Sequence, residues 1–188
     1  AHALAELDAC RITRGGLFLD KAHGTELRAF AAAYRALPAA KFTTIGASTD
    51  PVAVRTLVPA DEEQRYLYLI NREYYPVTVH LALDRPATVR ELATGATIEA
   101  ATDWPVELGP YELRSFTTAP AVQVTGFSTR VPREIAAELR AKAEAALQAI
   151  AAGRRAGHAI AGLARIETEL RQCLAEGRFA RLRHLLTG

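Results

Sequence analysis

The 188-residue sequence has no methionine, a single tryptophan, two cysteines and only 7% aromatic residues. Cys10 and Cys173 belong to no C-x-x-C pair, so a thiolate metal knuckle and a disulfide-dense scaffold are both excluded. Two free thiols on helices are expected, although separation in sequence alone does not decide whether they pair. No window approaches the ~18–20 uninterrupted apolar residues of a membrane-spanning helix. Residues 1 to 20 lack the basic start and continuous apolar run of a signal peptide. The chain opens Ala1-His2 and lacks Met, so a processed or excised piece of a longer protein is expected. Net charge is +2, too near neutral to point to nucleic acid. It is unevenly spread, with ten Lys/Arg against six Asp/Glu over residues 132 to 188.

Catalytic and cofactor signatures are missing as well. The five histidines, His2, His23, His80, His158 and His184, show neither H-E-x-x-H nor H-x-x-x-H spacing, so no metal site is expected. Gly15-Gly16 has no Walker or G-x-G-x-x-G context, no G-x-S-x-G elbow occurs, and no cofactor is implied. The carboxylates Asp61, Glu62, Glu63, Asp103, Glu138, Glu144 and Glu169 fall in turns or on polar helix faces and read as solvated charge. No catalytic residue is assigned, and the chain by itself reads as a non-enzyme.

What is present is periodicity of two kinds. Leu27, Phe30, Tyr34 and Leu37 recur at helical spacing before Pro38 stops the pattern. Residues 39 to 50 read as a linker. Short alternating strands are then expected near 52–58, 64–71, 76–83, 87–92, 96–100, 105–108, 111–118 and 121–127. Within 76–83, Val77, Val79, Leu81 and Leu83 share one face, which leaves His80 pointing outward. Ala93-Thr94-Gly95 reads as a hairpin loop and Pro110 as the first central residue of a turn. From Val131 the period returns to helical. Pro132 suits a first helical position, and Gly153 and Gly177 are expected stops around a second helix from about 156 to 176. Phe179, Leu182, Leu185 and Leu186 mark a short third helix. The expected class is α+β, an antiparallel β-sandwich of about seven to eight strands flanked by helices. Its domains are 1–38 helical, 39–128 sandwich and 129–188 helical hairpin or tail.

The ordered wording Tyr66-Leu-Tyr-Leu-Ile-Asn71, Arg90-Glu-Leu-Ala-Thr-Gly95 and Leu108-Gly-Pro-Tyr-Glu-Leu-Arg-Ser-Phe116 resembles the β-sandwich that follows the (β/α)8 barrel in many glycoside hydrolases. The resemblance covers roughly residues 50 to 118, and Glu26 to Pro38 resembles the last helix of such a barrel. It implies the C-terminal region of a glycoside-hydrolase-like parent, with the catalytic barrel upstream as partner in the same chain. A secreted or periplasmic parent is compatible with it, and nothing in the sequence fixes the location.

Two further readings come from side chains. Tyr66, Tyr68, Tyr74, Tyr75, Trp104 and Tyr111 concentrate in the strand region, where exposed rings would stack on a glycan. Alternatively, Arg154, Arg155, Arg178, Arg181 and Arg183 form a basic patch beside an apolar face of Phe179, Leu182 and Leu186, as a protein-interaction module would.

Overall fold

The computed structural model describes residues 4–5, 24–46, 48–60, 63–157 and 161–187. It divides into two compact units, Ala1–Arg130 and Val131–Gly188. The first begins with buried, helical Leu4 and Ala5 and the helix α1 (Gly24–Arg35). Nine strands follow: β1 (Thr43–Ile45), β2 (Val52–Leu57), β3 (Arg65–Asn71), β4 (Val77–Leu83), β5 (Ala87–Glu91), β6 (Thr97–Ala100), β7 (Asp103–Leu108), β8 (Leu113–Thr118) and β9 (Val124–Arg130). They form a six-stranded sheet in the order β1-β2-β3-β8-β5-β6 and a three-stranded sheet β7-β4-β9. Every pairing is antiparallel. The sequence-predicted α+β class is the observed one.

The strand sequences state which sheet is covered once and which twice. β4 and β7 alternate strictly between buried and more open residues, as strands with one wet face do. β2 and β3 instead bury runs of four and five consecutive residues, because both faces of the larger sheet are covered. Toward the smaller sheet lie Val52, Val54, Leu67, Leu69 and Phe116, and the rings of Trp104 and Phe116 meet edge-on at 5.0 Å. The opposite face carries Ala53, Tyr68, Ile70 and Leu113, which cluster with Phe42, Leu4, Ala5 and α1 residues Phe30, Ala33 and Tyr34. Two buried polar bonds fasten this layer: Ser115 Oγ donates to the Ala33 carbonyl at 2.8 Å, and Arg55 donates to that of Ala5 at 2.9 Å. Leu27 falls outside the apolar stripe assigned to it and is exposed.

Several boundaries differ from expectation. The linker at 39–50 contains β1, whose three residues pair with Val54 to Thr56, a partnership too short to leave a periodic signal. The last strand runs 124–130 rather than 121–127, and the strand expected at 111 starts at Leu113 because Tyr111 sits in the preceding turn at φ 53°.

The second unit comprises α2 (Arg133–Arg155), α3 (Leu163–Glu176) and α4 (Phe179–Thr187). All three pack on one another, with Leu139, Ala143, Leu170, Cys173, Phe179 and Leu182 buried. Helix α2 passes through Gly153 and stops at Arg155, followed by left-handed Gly157 (φ 80°), so the stop belongs to the second glycine rather than the first. Pro132 is the residue before the helix rather than its first turn, and α3 starts at Leu163, later than expected. Gly177 ends α3 in the left-handed conformation, as expected. Cys173 is buried, and Cys10 lies outside the described residues. No described helix is long and apolar enough to cross a membrane.

Candidate functional site

The residues of the recurring wording are brought together by the fold, and their polar groups are engaged with one another. Asn71, fully buried at the end of β3, donates through Nδ2 to the carbonyls of Tyr75 (2.7 Å) and Gly109 (2.9 Å). Its Oδ1 accepts from the Glu73 amide at 2.9 Å. The facing turn, 109–112, is tied back by Tyr111 N–H to the Glu73 carbonyl at 3.0 Å and by Gly109 N–H to Glu112 Oε2 at 2.6 Å. Glu91 and Arg114, from the two other pieces of that wording, form an ion pair at 2.7 Å, and Thr94 Oγ1 donates to the same carboxylate at 2.8 Å. Burial pushes the Glu91 carboxyl upward, but the Arg114 and Thr94 hydrogen bonds and the Arg114 charge outweigh it and hold the group below the ordinary glutamate range. Arg114 also lies 5.2 Å from the Phe116 ring centre.

The six aromatics named from sequence divide sharply. Tyr68, Tyr75 and Trp104 are buried, and Tyr66 is half-buried against the cluster beneath α1. A buried ring has no face to offer a sugar, and Tyr68, Tyr75 and Trp104 are core residues. The physical reason is the second covered face of the larger sheet, which draws Tyr66 and Tyr68 under α1, and the inward register of Trp104 opposite Leu81. Tyr74 and Tyr111 remain 43% and 44% exposed, on the two turns that Asn71 joins. Tyr111 is the one described non-glycine residue at positive φ, a conformation that costs an L-residue roughly 1–2 kcal/mol.

Phe179 and Leu182 are buried, and Arg154, Arg178 and Arg181 pair with Glu167, Glu176 and Glu169. Hydrogen bonding from Arg171, opposed by some burial and reinforced by Arg154, lowers the Glu167 pKa.

A second constellation escaped the sequence reading. On the outer face of the smaller sheet, His80 points to solvent as expected, between Asp103 of β7 and Arg130 of β9. His80 Nδ1 lies 3.1 Å from Asp103 Oδ1, and Arg130 donates to His80 Nε2 at 3.2 Å. A guanidinium only donates, so Nε2 is the acceptor and the ring proton sits on Nδ1, shared with Asp103. These groups line a groove of about 590 Å³ with Ala82, Gly126 and Ser128. The signal was hidden because β4 meets β9 across some forty intervening residues, and no local spacing records that pairing. Among the described residues, no three His, Cys, Asp or Glu side chains are placed to hold a metal ion.

No protein-family model and no curated protein matches the chain. Solved structures with partial likeness include a protein assigned as an alpha-galactosidase from Bacteroides fragilis, with 16% identity and a TM-score of 0.34 over 42% of this chain and 18% of that one. The trehalulose synthase MutB from Pseudomonas mesoacidophila matches with 22% identity and a TM-score of 0.31 over 47% of this chain and 15% of that one. The chain therefore spans less than a fifth of either neighbour, and likeness this distant carries no conclusion about activity.

Proposed function

We propose that this chain is a non-catalytic accessory β-sandwich region of a glycoside-hydrolase-like protein, supporting or capping a catalytic barrel that precedes it in the parent. The observation that carries this reading is how the motif residues are used. Asn71, Glu91, Thr94, Glu112 and Arg114 all hold turns and strands in place, so the wording shared with hydrolase sandwiches is architectural. A glycosidase needs two carboxylates facing each other across a cleft roughly 5–10 Å wide, one of them in a setting that raises its pKa. Among the described residues, the carboxyls with a resolved shift, Asp84, Glu91 and Glu167, are all lowered, the opposite of a general acid's requirement. The parent reading frame tests the proposal. Alternating strands and helices with acidic residues at strand ends are expected upstream of residue 1; an upstream region without that pattern overturns it. Hydrolysis of aryl glycosides by the isolated 188 residues, abolished by one Glu→Gln or Asp→Asn change, would overturn the non-catalytic assignment.

A second reading, glycan binding, is favoured by one observation. Tyr111 is held in a strained turn conformation while nearly half exposed, and Tyr74 is similarly exposed on the neighbouring turn. Sparsely populated backbone conformations cluster at ligand-contacting sites, and here one is held at an exposed aromatic.

A further inference from the structure

We propose that the groove on the outer face of β7-β4-β9 binds a single uncharged polyhydroxylated ring, held between Asp103 and Arg130 with His80 beneath it. The pairing register fixes the face as three rows. Glu107, Thr78 and Arg130 form one; Pro105, His80 and Ser128 the next; and Asp103, Ala82 and Gly126 the last. Their order makes the floor low where Ala82 and Gly126 stand side by side, so the cavity is a product of two small residues meeting across strands. Phe127, the neighbour of Gly126, turns its ring the other way, toward Gly46.

The chemistry of the rim selects the ligand. Asp103 is 74% exposed and uses Oδ1 toward His80, which leaves carboxylate lone pairs directed at solvent. Arg130 spends one N–H on His80 Nε2 and has further donors in its planar fork. Acceptors therefore stand at one side and donors at the other, with the His80 ring in contact with both. An anion would gain at Arg130 and lose at Asp103, and exposed Glu107 on the same face adds to its loss. A cation meets the reverse problem. A hydroxyl donates and accepts at once, so a polyol satisfies both sides without net charge. Strands lie ~4.8 Å apart, which sets β7 and β9 nearly 10 Å from each other and gives room for one ring rather than an extended chain laid across them. Ala82 and Gly126 supply apolar surface for the carbons of such a ring. The groove's volume falls within the 300–1,000 Å³ typical of small-molecule sites. The proposal is independent of whether a barrel lies upstream, and the reading frame does not test it.

The experiment is amide chemical-shift titration of the 188-residue chain with methyl glucoside, methyl galactoside and myo-inositol up to about 50 mM, above the millimolar Kd expected for so open a site. Shifts concentrated on residues 80–82, 103–105 and 126–130 are expected. Gly126→Leu provides a filled groove in a folded protein, because a Cβ at Gly126 has nothing within 4 Å and its backbone is not in the left-handed region. With the spectrum otherwise retained, this variant should abolish the shifts. Asp103→Asn and Arg130→Gln should each weaken binding about tenfold. The proposal is overturned if no ligand in the panel moves these amides, or if Gly126→Leu binds unchanged. It also fails if shifts map to Tyr74 and Tyr111 instead, or if glycine or acetate at equal concentration produces larger shifts than the polyols.

Discussion

Replacing Arg114 by Met removes the charge that holds Glu91 while keeping an apolar stem over Phe116. The pair is mostly enclosed, with side-chain exposures of 24% for Arg114 and 12% for Glu91, so it falls between a surface bridge worth about 0–1 kcal/mol and a buried one whose disruption costs about 3–5 kcal/mol. The loss of a charged hydrogen bond and the carboxylate left behind, still bonded to Thr94, place the expected cost near 2 kcal/mol. For a unit of this size that lowers Tm by roughly 8 °C. The pH dependence gives a second readout. Glu91 has its folded pKa depressed, so its contribution is fully present above the unfolded value and disappears as pH falls through the folded one. Urea titrations of the parent chain, Arg114→Met, Glu91→Gln and the double variant, at neutral pH and again below the ordinary glutamate range, would give the coupling energy at each. A coupling of about 1–2 kcal/mol that collapses in acid is expected. Coupling below ~0.3 kcal/mol, or equal coupling at both pH values, refutes the reasoning, since it would mean that the two motif pieces meet without stabilising each other.

Trp104→Ala should cost about 3–5 kcal/mol of stability through the cavity left against Phe116, seen as a lower urea midpoint. Affinity electrophoresis of that variant, kept below its unfolding midpoint, should show glycan retention equal to the parent. Under the second functional reading the Tyr74→Ala/Tyr111→Ala double variant behaves oppositely, with an unfolding free energy within about 0.5 kcal/mol of the unmutated chain and retention on extended glycans lost; unchanged retention removes that reading.

Strand identity was legible wherever one face is wet. Val77, Val79, Leu81 and Leu83 alternate with Thr78, His80 and Ala82, and β4 emerged within a residue of its expected bounds. Tyr66 and Tyr68 were open to misreading because a strand under a helix presents apolar residues on both faces, and sequence does not say which face is covered. Arg114 lacked a partner in sequence because Glu91 is brought beside it only when β5 and β8 pair, a contact between distant segments. The His80 groove was invisible for the same reason, since Arg130 and Asp103 reach His80 from two different neighbouring strands. Gly153 misled in a different way: a helix long enough to bury Leu139 and Ala143 tolerates an internal glycine at roughly 1 kcal/mol, whereas Gly157 meets the left-handed geometry at the true end.

The ends of the two sheets set the terms on which anything else can join this protein. An open strand edge invites an incoming chain to continue the ladder. Here β1 offers three residues, β6 is four long and carries Glu99, and β7 has Pro105 in mid-strand where a backbone donor would be needed. The fourth edge, β9, leans against β1 and β2 and is interrupted by the irregularity opposite Ala82 and Leu83. Strand addition is thereby blunted on every side. A companion recognised through side chains and turns has a specificity open to change one residue at a time without disturbing the sheets.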